Sequence, residues 1–502
     1  MDTALLLEMA AGAAPHRLAL GRRADGVTFE ILQAWAQAGA AWLAGRGEGA
    51  VVFLGLNGPA LPTSVFAAGI LGRPFAPLNY RLPDDDLRRL LARTAPSVAV
   101  VDDDMLARVA GVAGVALVAR SAFEAACRGP APAPPALETP ERDIAVLLFT
   151  SGTTGEPKAA VLRHSNLASY VISTVEFLGA EEGEAALVSV PPYHIAGVSA
   201  VLTGIYGGRR IVHLEAFTPE AWVETAAAEA ITHAMLVPTM LGRVLDVLEQ
   251  TGERLPTLRA LSYGGGRMPV NVIRRALELL PHVDFVNAYG LTETSSTISV
   301  LGPEDHRAAV ASDDPAVRER LGSVGRPLPT VEIEIRDPAG APLPPGRSGE
   351  VHVRGEQVAG EYLGRSVTDA SGWFATKDAG WIDEAGYLFL EGRLDDVIVR
   401  GGENISPGEI EDVLRGHPAV ADVAVVGAPD ERWGERVAAF VVPRGERPSA
   451  DQLGEWVKAR LRSTKTPETW VFRDELPYND TGKLLRRVLK AEFAAPELTP
   501  QA

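Results

Sequence analysis

Two hydrophobic patterns follow one another along the chain. From about Val51, short runs of β-branched residues or leucine alternate with stretches of helical period that are rich in Ala, Leu and Arg. The runs include VVFLGL, SVAVVD, RIVHL, HAMLVP, LRALSY and HVDFVNAY. This alternation is typical of βαβ units on largely parallel sheets. We therefore expect stacked α/β sheets in the larger part of the molecule.

The pattern changes after about Ala311. Alternating strands such as TVEIEIRD and EVHVRGE, separated by PAGAPLPPGRSG, predict an antiparallel, β-barrel-like part that closes the large domain. From about Asp395 a separate set of strand and helix patterns begins, which predicts a small α+β domain. We expect a large domain over residues 1–394, in which the Pro/Ala-rich stretch Gly129–Asp143 joins two lobes, and a small domain over residues 395–502.

Composition narrows the class of protein. The 502 residues carry a formal net charge of −17, so a basic face for nucleic acid is not expected. The single cysteine, Cys127, cannot form an internal disulfide, and no apolar run reaches the roughly 18 residues of a membrane span. The chain starts with an acidic residue before a short apolar patch, which favours an amphipathic helix over a secretion signal. We expect a cytoplasmic protein.

The segment TSGTTGEPKAA, Thr150–Ala160, follows the apolar run IAVLLF. A loop of glycines and hydroxyls at the end of a strand offers several N–H groups to one point, and Lys158 adds a positive charge, so the segment favours phosphate binding. Gly152 and Gly155 are three apart and Lys158 follows Pro157, which excludes the P-loop of kinases and NTPases. For this loop alone, a simple surface turn stays open.

Two further loops follow predicted strands. SYGGGRMP, Ser262–Pro269, has three glycines on which a flat ring could lie. NAYGLTETSS, Asn287–Ser296, places an aromatic ring, hydroxyls and a carboxylate in one short turn.

Together these segments resemble the adenylate-forming superfamily, most closely its acyl-CoA synthetases. The resemblance covers nearly the whole chain and runs in order through TSGTTGEPKA, PPYHIAG, SYGGGRMP, NAYGLTETSS, GWFATKDAGWIDEAGYLFLEGRLDDVIVRGGENISPGEIE and YNDTGKLLRR. It implies ATP-dependent activation of a carboxylic acid to an acyl adenylate, release of pyrophosphate, and transfer to CoA with release of AMP. The implied cofactors are ATP, Mg²⁺ and CoA. An enzyme that passes the acyl group to a phosphopantetheine carrier protein stays open, and so does a homodimer.

The resemblance implies a role for each motif in ATP binding. The phosphate loop would comprise Thr150, Ser151, Gly152, Thr153, Thr154, Gly155 and Lys158. Adenine would stack on Tyr289, within a site formed by Gly264, Gly265, Gly266, Asn287, Ala288 and Gly290. The ribose would be held by Asp378 and Arg393, the α-phosphate by Thr292 and Mg²⁺ by Glu293. Because Lys158, Glu293, Asp378 and Lys483 are all present, an inactive nucleotide-binding protein is disfavoured.

The small domain would contribute to both half-reactions. By resemblance, Lys483 bridges the acyl carboxylate and the α-phosphate, and Asp395 is the hinge about which the mobile small domain turns. Gly401 and Gly402 would line the pantetheine tunnel and Trp433 would stack on the CoA adenine. For Trp433, an ordinary packing role is an equally good interpretation.

The motif PPYHIAG bears on the acid. Relatives that activate amino acids carry an Asp where His194 stands, so we expect a hydrophobic acid without an α-amino group, with His194 closing the carboxylate pocket. The acyl pocket is predicted from small and aromatic residues of four motifs: Tyr193, His194, Gly197, Tyr263, Gly264, Ala288, Gly290, Ser295 and Ser296.

Several positions depart from the family pattern. Ala159 and Lys377 stand where glycine is usual, and a side chain at positive φ would cost about 1 kcal/mol. Thr464 and Thr466 stand where some aryl-CoA ligases place an aromatic residue and an arginine against CoA. None of these departures removes a predicted catalytic group.

Overall fold

The computed structural model of the chain describes residues 2–129, 143–150, 157–478 and 484–494. The helices are α1 (Thr3–Ala13), α2 (Phe29–Ala44), α3 (Ala60–Leu71), α4 (Asp84–Ala92), α5 (Arg120–Cys127), α6 (His164–Thr174), α7 (Ile195–Tyr206), α8 (Pro219–Ala228), α9 (Pro238–Thr251), α10 (Val270–Leu279), α11 (Pro303–Ala311), α12 (Pro315–Glu319), α13 (Pro407–Arg415), α14 (Ala450–Lys458) and α15 (Arg486–Ala494).

The strands of the first half are β1 (Leu18–Leu20), β2 (Val27–Thr28), β3 (Ala50–Leu54), β4 (Phe75–Pro77), β5 (Ser97–Val101), β6 (Val115–Ala119), β7 (Ile144–Thr150), β8 (Lys158–Arg163), β9 (Ala185–Val188), β10 (Arg210–His213), β11 (His233–Leu236) and β12 (Ala260–Gly264). Those of the second half are β13 (Asp284–Leu291), β14 (Ser296–Leu301), β15 (Arg326–Pro327), β16 (Val331–Arg336), β17 (Gly349–Gly355), β18 (Glu361–Tyr362), β19 (Arg365–Ser366), β20 (Phe374–Ile382), β21 (Leu388–Arg393), β22 (Ile398–Arg400), β23 (Glu403–Ile405), β24 (Val420–Asp430), β25 (Gly434–Pro443) and β26 (Thr469–Phe472).

Two large sheets dominate the first part of the chain, and both are parallel at their centres. Sheet I has the order β19-β18-β8-β7-β4-β3-β5-β6, and sheet II has the order β15-β14-β13-β12-β11-β9-β10-β1-β2. The strands β7, β4, β3, β5 and β6 run parallel, as do β13, β12, β11, β9, β10 and β1. The mixed α/β class expected from the alternating pattern is confirmed.

Helices fill the space between sheets I and II. Helix α3 is buried on nearly all sides, which explains why its sequence ALPTSVFAAGIL is apolar around the whole helix. Its Phe66 belongs to one core cluster with Phe53 of sheet I, Ile211 of sheet II and Leu202 of α7. The two sheets are therefore joined through one continuous apolar layer.

The antiparallel part lies where the sequence predicted it. Sheet III has the order β16-β17-β20-β21, and its buried Val353, Phe374 and Leu388 pack with Ile298 of β14. Sheet III thus rests against the edge of sheet II and brings the end of β21 close to β13.

The last part of the chain forms its own sheet. Sheet IV has the order β23-β22-β25-β24, with β26 paired to β25. Helices α13 and α14 cover one face through Ile410 and Leu453, and α15 covers the other through Leu489. Sheet IV is built from residues after Asp395, and we refer to it and its helices as the small domain. The boundary at residues 394/395 stays a prediction.

Two absences concern the described residues. No helix among them is long and apolar enough to cross a membrane. No group of three or more His, Cys, Asp or Glu side chains among them is arranged to hold a metal ion. The single cysteine, Cys127, ends α5 and is 3 % exposed, and burial raises the pKa of its thiol to about 12.

Candidate active site

A cleft of about 1060 Å³ opens between the carboxyl edge of sheet II and the small domain. This is the place where α/β sheets bind ligands most often, because strand ends and helix beginnings meet there. Nine residues of the predicted ATP site line it: Gly264, Gly265, Gly266, Asn287, Ala288, Tyr289, Gly290, Asp378 and Arg393. The structure therefore brings together three motifs that are far apart in the sequence.

Strand pairing places the two glycine-containing loops side by side. β12 and β13 are parallel neighbours, with Gly264 opposite Ala288. A Cβ atom on Gly264 would lie 2.2 Å from the Ala288 carbonyl oxygen, so only glycine fits this close approach. Gly265 has φ +76°, a conformation that favours glycine.

Tyr289, Asp378 and Arg393 form one connected group. The Tyr289 hydroxyl donates to Asp378 Oδ2 at 2.6 Å, and Arg393 Nη1 donates to Asp378 Oδ1 at 3.1 Å and to the Thr376 carbonyl at 3.1 Å. Burial, together with the Asp378 carboxylate, raises the pKa of Tyr289 well above its usual value, so this phenol stays protonated. The Asp378 carboxylate can still accept from further hydroxyls, because two oxygens offer about four lone-pair sites.

Glu293 is the middle residue of a 3₁₀ turn, Thr292–Thr294, and is buried. Its Oε1 accepts from the Tyr362 hydroxyl at 2.5 Å, and its carbonyl accepts from the backbone N–H groups of Ala359 and Gly360. Burial and the Glu293 charge raise the pKa of Tyr362. One fixed carboxylate suits Mg²⁺, which usually takes one or two protein ligands and completes its shell with phosphate oxygens and water.

The hairpin that carries the phosphate loop is described only at its ends. Thr150 and Lys158 face each other across β7 and β8, and Lys158 Nζ lies 5.6 Å from the centre of the Tyr362 ring. Lys158 and Glu293 therefore share Tyr362 as a neighbour. Arg93 Nη1, which sequence reasoning missed, donates to the Pro157 carbonyl at 2.5 Å. The predicted phosphate-loop residues Ser151, Gly152, Thr153, Thr154 and Gly155 lie outside the described residues.

Lys483 also lies outside the described residues, but Tyr478 and Leu484, the nearest described residues before and after it, line the cleft. Tyr478 and Leu484 form an isolated antiparallel bridge and both face the cleft. Arg486 donates twice to the buried carboxylate of Glu411, at 2.6 and 2.7 Å. The Tyr478 hydroxyl donates to Asp422 at 2.5 Å. Although burial opposes ionisation of Glu411, the cations of Arg486 and Arg415 outweigh it and lower the pKa of this carboxyl.

The predicted acyl pocket is only partly on the cleft. Gly264, Ala288 and Gly290 line it. The other predicted residues are not among those that line it: Tyr193, His194, Gly197, Tyr263, Ser295 and Ser296. Ser295 is fully buried with φ 58°, and Ser296 has φ 119°.

Two of these aromatic residues have well-defined surroundings. The Tyr193 ring packs edge-on against Tyr80, a cleft residue, at 5.5 Å, and lies 4.7 Å from His194. The expected place of Tyr263 needs correction, because its hydroxyl pairs with His306 Nε2 at 2.7 Å on the opposite, buried side. Tyr263 thus packs in the core of sheet II.

The predicted CoA residues lie away from the cleft. The Gly401 N–H donates to the Trp433 carbonyl at 2.8 Å, and a Cβ atom on Gly401 would lie 2.8 Å from the indole. Gly402 has φ +86°. Trp433 is 40 % exposed, with the guanidinium carbons of Arg400 and Arg432 at 5.7 and 4.8 Å from its ring centre. Sequence reasoning missed these two arginines.

The structure also describes the predicted hinge and the positions at which the sequence departs from the family pattern. Asp395 lies in a short 3₁₀ turn, Leu394–Asp396, and its carbonyl accepts from Lys490 Nζ at 2.6 Å. Lys377 has φ +63°, so this position does need the left-handed conformation, whereas Ala159 is an ordinary residue of β8. The carbonyl of Thr464 accepts from Arg400 Nη1 at 2.7 Å, while the buried Thr466 hydroxyl has no hydrogen-bond partner among the described residues.

Comparison with known proteins gives consistent family assignments. The family model "AMP-binding enzyme" matches residues 7–363, and the model "AMP-binding enzyme C-terminal domain" matches residues 409–483. A feruloyl-CoA synthase of Amycolatopsis sp is 36 % identical over 452 residues, covering 88 % of each chain. An indoleacetate–CoA ligase of Aromatoleum aromaticum is 33 % identical and covers 86 % of each chain.

Solved structures agree with these relatives. The o-succinylbenzoate CoA synthetase of Bacillus subtilis, in complex with its acyl adenylate, superposes with a TM-score of 0.82 at 30 % identity and 98 % coverage of both chains. ATP-bound MatB of Rhodopseudomonas palustris gives a TM-score of 0.86 at 28 % identity, with 98 % and 99 % coverage. With a family model over most of its length and a site built from that family's motifs, the chain belongs to the adenylate-forming AMP-binding enzymes and is an ATP-, Mg²⁺- and CoA-dependent acid–thiol ligase that releases AMP and pyrophosphate.

Proposed function

We propose that this ligase activates an aromatic, non-amino carboxylic acid, and that the connected group Tyr289–Asp378–Arg393 holds the nucleotide. That group, beside Gly264–Gly266 in one cleft, is the observation that carries the proposal. Adenine stacks between the Tyr289 ring and the glycine backbone, and Asp378 accepts from the ribose hydroxyls. Each such charge-assisted hydrogen bond contributes about 1.5–3 kcal/mol.

The first half-reaction joins two anions, the carboxylate of the acid and the α-phosphate of ATP. Lys158 and the loop Ser151–Gly155 would hold the β- and γ-phosphates, Thr292 would donate to the α-phosphate, and Glu293 would hold Mg²⁺. Lys483 reaches from the small domain to the acyl carboxylate and the α-phosphate. These groups offset the repulsion while an acyl oxygen attacks phosphorus and pyrophosphate leaves with the electron pair of the broken bond.

The second half-reaction needs another face of the small domain. Rotation about Asp395 brings Gly401 and Gly402 to the cleft, and the CoA thiol attacks the acyl carbonyl with release of AMP. Trp433 stacks on the CoA adenine, and Arg400 and Arg432 beside it supply positive charge for the CoA phosphates.

The acid class rests on the aromatic group Tyr80–Tyr193–His194 beside the cleft. Aromatic rings pack favourably edge-on against other rings, so this group suits an aryl acid. Tyr193 and His194 place no carboxylate where an ammonium group would need one. The printed names of relatives, feruloyl-CoA synthase and indoleacetate–CoA ligase, describe acids of this kind.

The test is a pyrophosphate-release screen with ferulate, indoleacetate, 2-succinylbenzoate, palmitate, acetate and phenylalanine, each with ATP and Mg²⁺. We expect the highest kcat/KM with an aryl acid. A preference for acetate or for phenylalanine contradicts the proposed substrate class, and no pyrophosphate release with any carboxylic acid contradicts the nucleotide site as well.

The second candidate acceptor is a carrier protein. A fatty acid–[acyl-carrier-protein] ligase of Streptomyces coeruleorubidus is 33 % identical over 462 residues, and Thr464 and Thr466 replace two residues that some aryl-CoA ligases use against CoA. Thioester formation with CoA alone and with a phosphopantetheinylated carrier distinguishes the two acceptors. The homodimer and the cytoplasmic location stay predictions.

A further inference from the structure

Arg267 connects the nucleotide side of the cleft to the small domain. It directly follows Gly264–Gly266 and lines the cleft with them. Its Nη2 donates to Asp412 Oδ2 of α13 at 2.7 Å, and its Nη1 donates to the Leu390 carbonyl of β21 at 3.3 Å. A Cβ atom on Gly408 would lie 2.5 Å from Nη1, so the start of α13 packs directly on the guanidinium.

Two other contacts join the same surfaces closer to the predicted hinge. Ser406 Oγ donates to the Glu391 carbonyl at 2.6 Å, and Lys490 Nζ donates to the Asp395 carbonyl at 2.6 Å. The first acceptor, Glu391, lies four residues before the predicted hinge, and the second, Asp395, is the predicted hinge itself. The Arg267–Asp412 ion pair instead joins residues that are 145 positions apart, one at the cleft edge of sheet II and the other on α13 of the small domain.

The orientation of the small domain identifies the half-reaction that this contact accompanies. Glu411, Leu484 and Arg486 face the cleft, and Leu484 is the direct neighbour of Lys483. Gly401 and Trp433 are not among the residues that line it. The small domain therefore turns towards the cleft the face that carries Leu484 and Arg486. Lys483, which the first half-reaction uses in the proposed function, directly precedes Leu484 in the sequence.

We propose that Arg267 is a positioning residue that holds the small domain in the acyl-adenylate-forming arrangement through Asp412. The inference rests on the proposed function, because it takes Asp395 as the hinge. Arg267 precedes the hinge and Asp412 follows it, so rotation about Asp395 separates the two charges. The ion pair stabilises one arrangement only, and it must break before the thioester step.

The expected strength of the pair is moderate. The Arg267 and Asp412 side chains are 40 % and 23 % exposed, so solvent and salt screen the attraction in part. An ion pair of moderate strength suits this position, because the proposed contact has to break in every catalytic cycle.

The experiment compares charge-reversed variants in the two half-reactions separately. ATP–pyrophosphate exchange reports the first, with ferulate as the acid or the best acid of the screen above. Thioester formation from chemically prepared acyl adenylate and CoA reports the second. We expect R267E and D412R each to slow exchange about fivefold at low salt, with the second half-reaction unchanged or faster.

The double variant R267E/D412R restores the pair with reversed charges, and we expect it to recover exchange to within about twofold of wild type. Asp412→Asn removes the pair with the least change in shape and serves if a charge reversal does not fold. The matched control is Arg307→Ala, because Arg307 pairs with Asp284 at the same distance of 2.7 Å within the large domain. It leaves both half-reactions unchanged.

Three results overturn the inference: no recovery in the double variant, equal slowing of both half-reactions by the single variants, or no slowing in any of them. Failure of the proposed function looks different. In that case Lys483→Ala leaves exchange unchanged, or wild-type protein shows no exchange, whatever the variants at Arg267 do.

Discussion

Asp378 connects Tyr289 and Arg393, the two residues proposed to lie beside the adenine ring and the ribose. One oxygen accepts from the Tyr289 hydroxyl and the other from Arg393, so the carboxylate is held from two sides and is 8 % exposed. The hydrogen bond to Tyr289 also orients the ring that would stack on adenine. In the proposed site, a single carboxylate would therefore set the geometry of two contacts with ATP.

Asp378→Asn tests this arrangement. The amide lacks the charge that strengthens hydrogen bonds from ribose and Arg393, so we expect kcat/KM for ATP to fall about 10- to 100-fold in pyrophosphate exchange. Tyr289→Phe keeps the ring and loses only its hydroxyl, and we expect a smaller loss of about three- to tenfold. A variant Asp378→Asn with wild-type kinetics would contradict the role of this carboxylate.

Two residues show what could and could not be predicted from the sequence alone. The family pattern identified Lys377 as a departure, and the structure supplies its φ of +63°. Tyr263 was misplaced, although the strand period held the answer: Leu261 and Tyr263 are two apart in β12, so both point to the same, buried face. A residue next to a binding motif lines the same pocket only when the alternation along the strand points its side chain towards that pocket.

The ends of β9 and β10 form a buried junction between the two large sheets. Asn57 Nδ2, from the loop after β3, donates to the carbonyls of Val190 and Leu214 at 3.0 and 3.3 Å. His213, the last residue of β10, lies next to this junction. Burial, with a smaller effect of Arg120, lowers its pKa to about 4, so His213 is neutral in the folded protein at pH 7.

His213 makes stability depend on pH. The unfolded chain binds a proton at His213 below about pH 6.5, whereas the folded protein binds it only near pH 4. Stability is therefore full above pH 6.5 and is lost as the pH falls towards 4. Between pH 7 and pH 5 we expect the free energy of unfolding of the wild type to fall about 2 kcal/mol more than that of His213→Asn.

Urea unfolding at the two pH values measures the difference. His16→Asn, at a side chain that is 84 % exposed, is the control and should follow the wild type. The same change in the free energy of unfolding between the two pH values for wild type and His213→Asn would show that His213 does not titrate as expected.

Most strands and the parallel sheets were predictable because each carries a short apolar run that needs burial on both faces, as VVFLGL and SVAVVD do for β3 and β5. The long-range ion pairs beside the cleft were not predictable. Glu411 and Arg486 are 75 positions apart, and Arg267 and Asp412 are 145 apart. Neither spacing contains a signal, since the first pair forms only when the small domain folds and the second only when that domain docks on the large one.

The cleft belongs to neither part of the chain alone. The residues proposed to contact adenine and ribose come from sheets II and III, while Glu411, Tyr478, Leu484 and Arg486 come from the small domain. The buried Glu411–Arg486 pair joins α13 to the start of α15, and so fixes the described residues that follow Lys483 in the sequence.

Lys483→Ala separates the two halves of the reaction. Loss of the cation between two anions should slow acyl-adenylate formation about 100- to 1000-fold, while thioester formation from prepared acyl adenylate and CoA stays within about threefold of wild type. Lys458→Ala is the control, since Lys458 pairs with Glu455 at 2.9 Å on the surface of α14. Equal loss in both half-reactions would contradict the assignment of Lys483 to the first.

The inaccessible thiol of Cys127 has a practical consequence. An enzyme that makes a reactive mixed anhydride would acylate any ionised thiol within reach, yet its lone cysteine is enclosed and stays protonated at neutral pH. Self-modification through this side chain is thereby suppressed. Because Cys127 is also unreactive towards thiol reagents, the chain can be labelled at introduced cysteines without first removing its own. A pair of dyes on two such cysteines, one on each side of Asp395, would report the rotation of the small domain in real time.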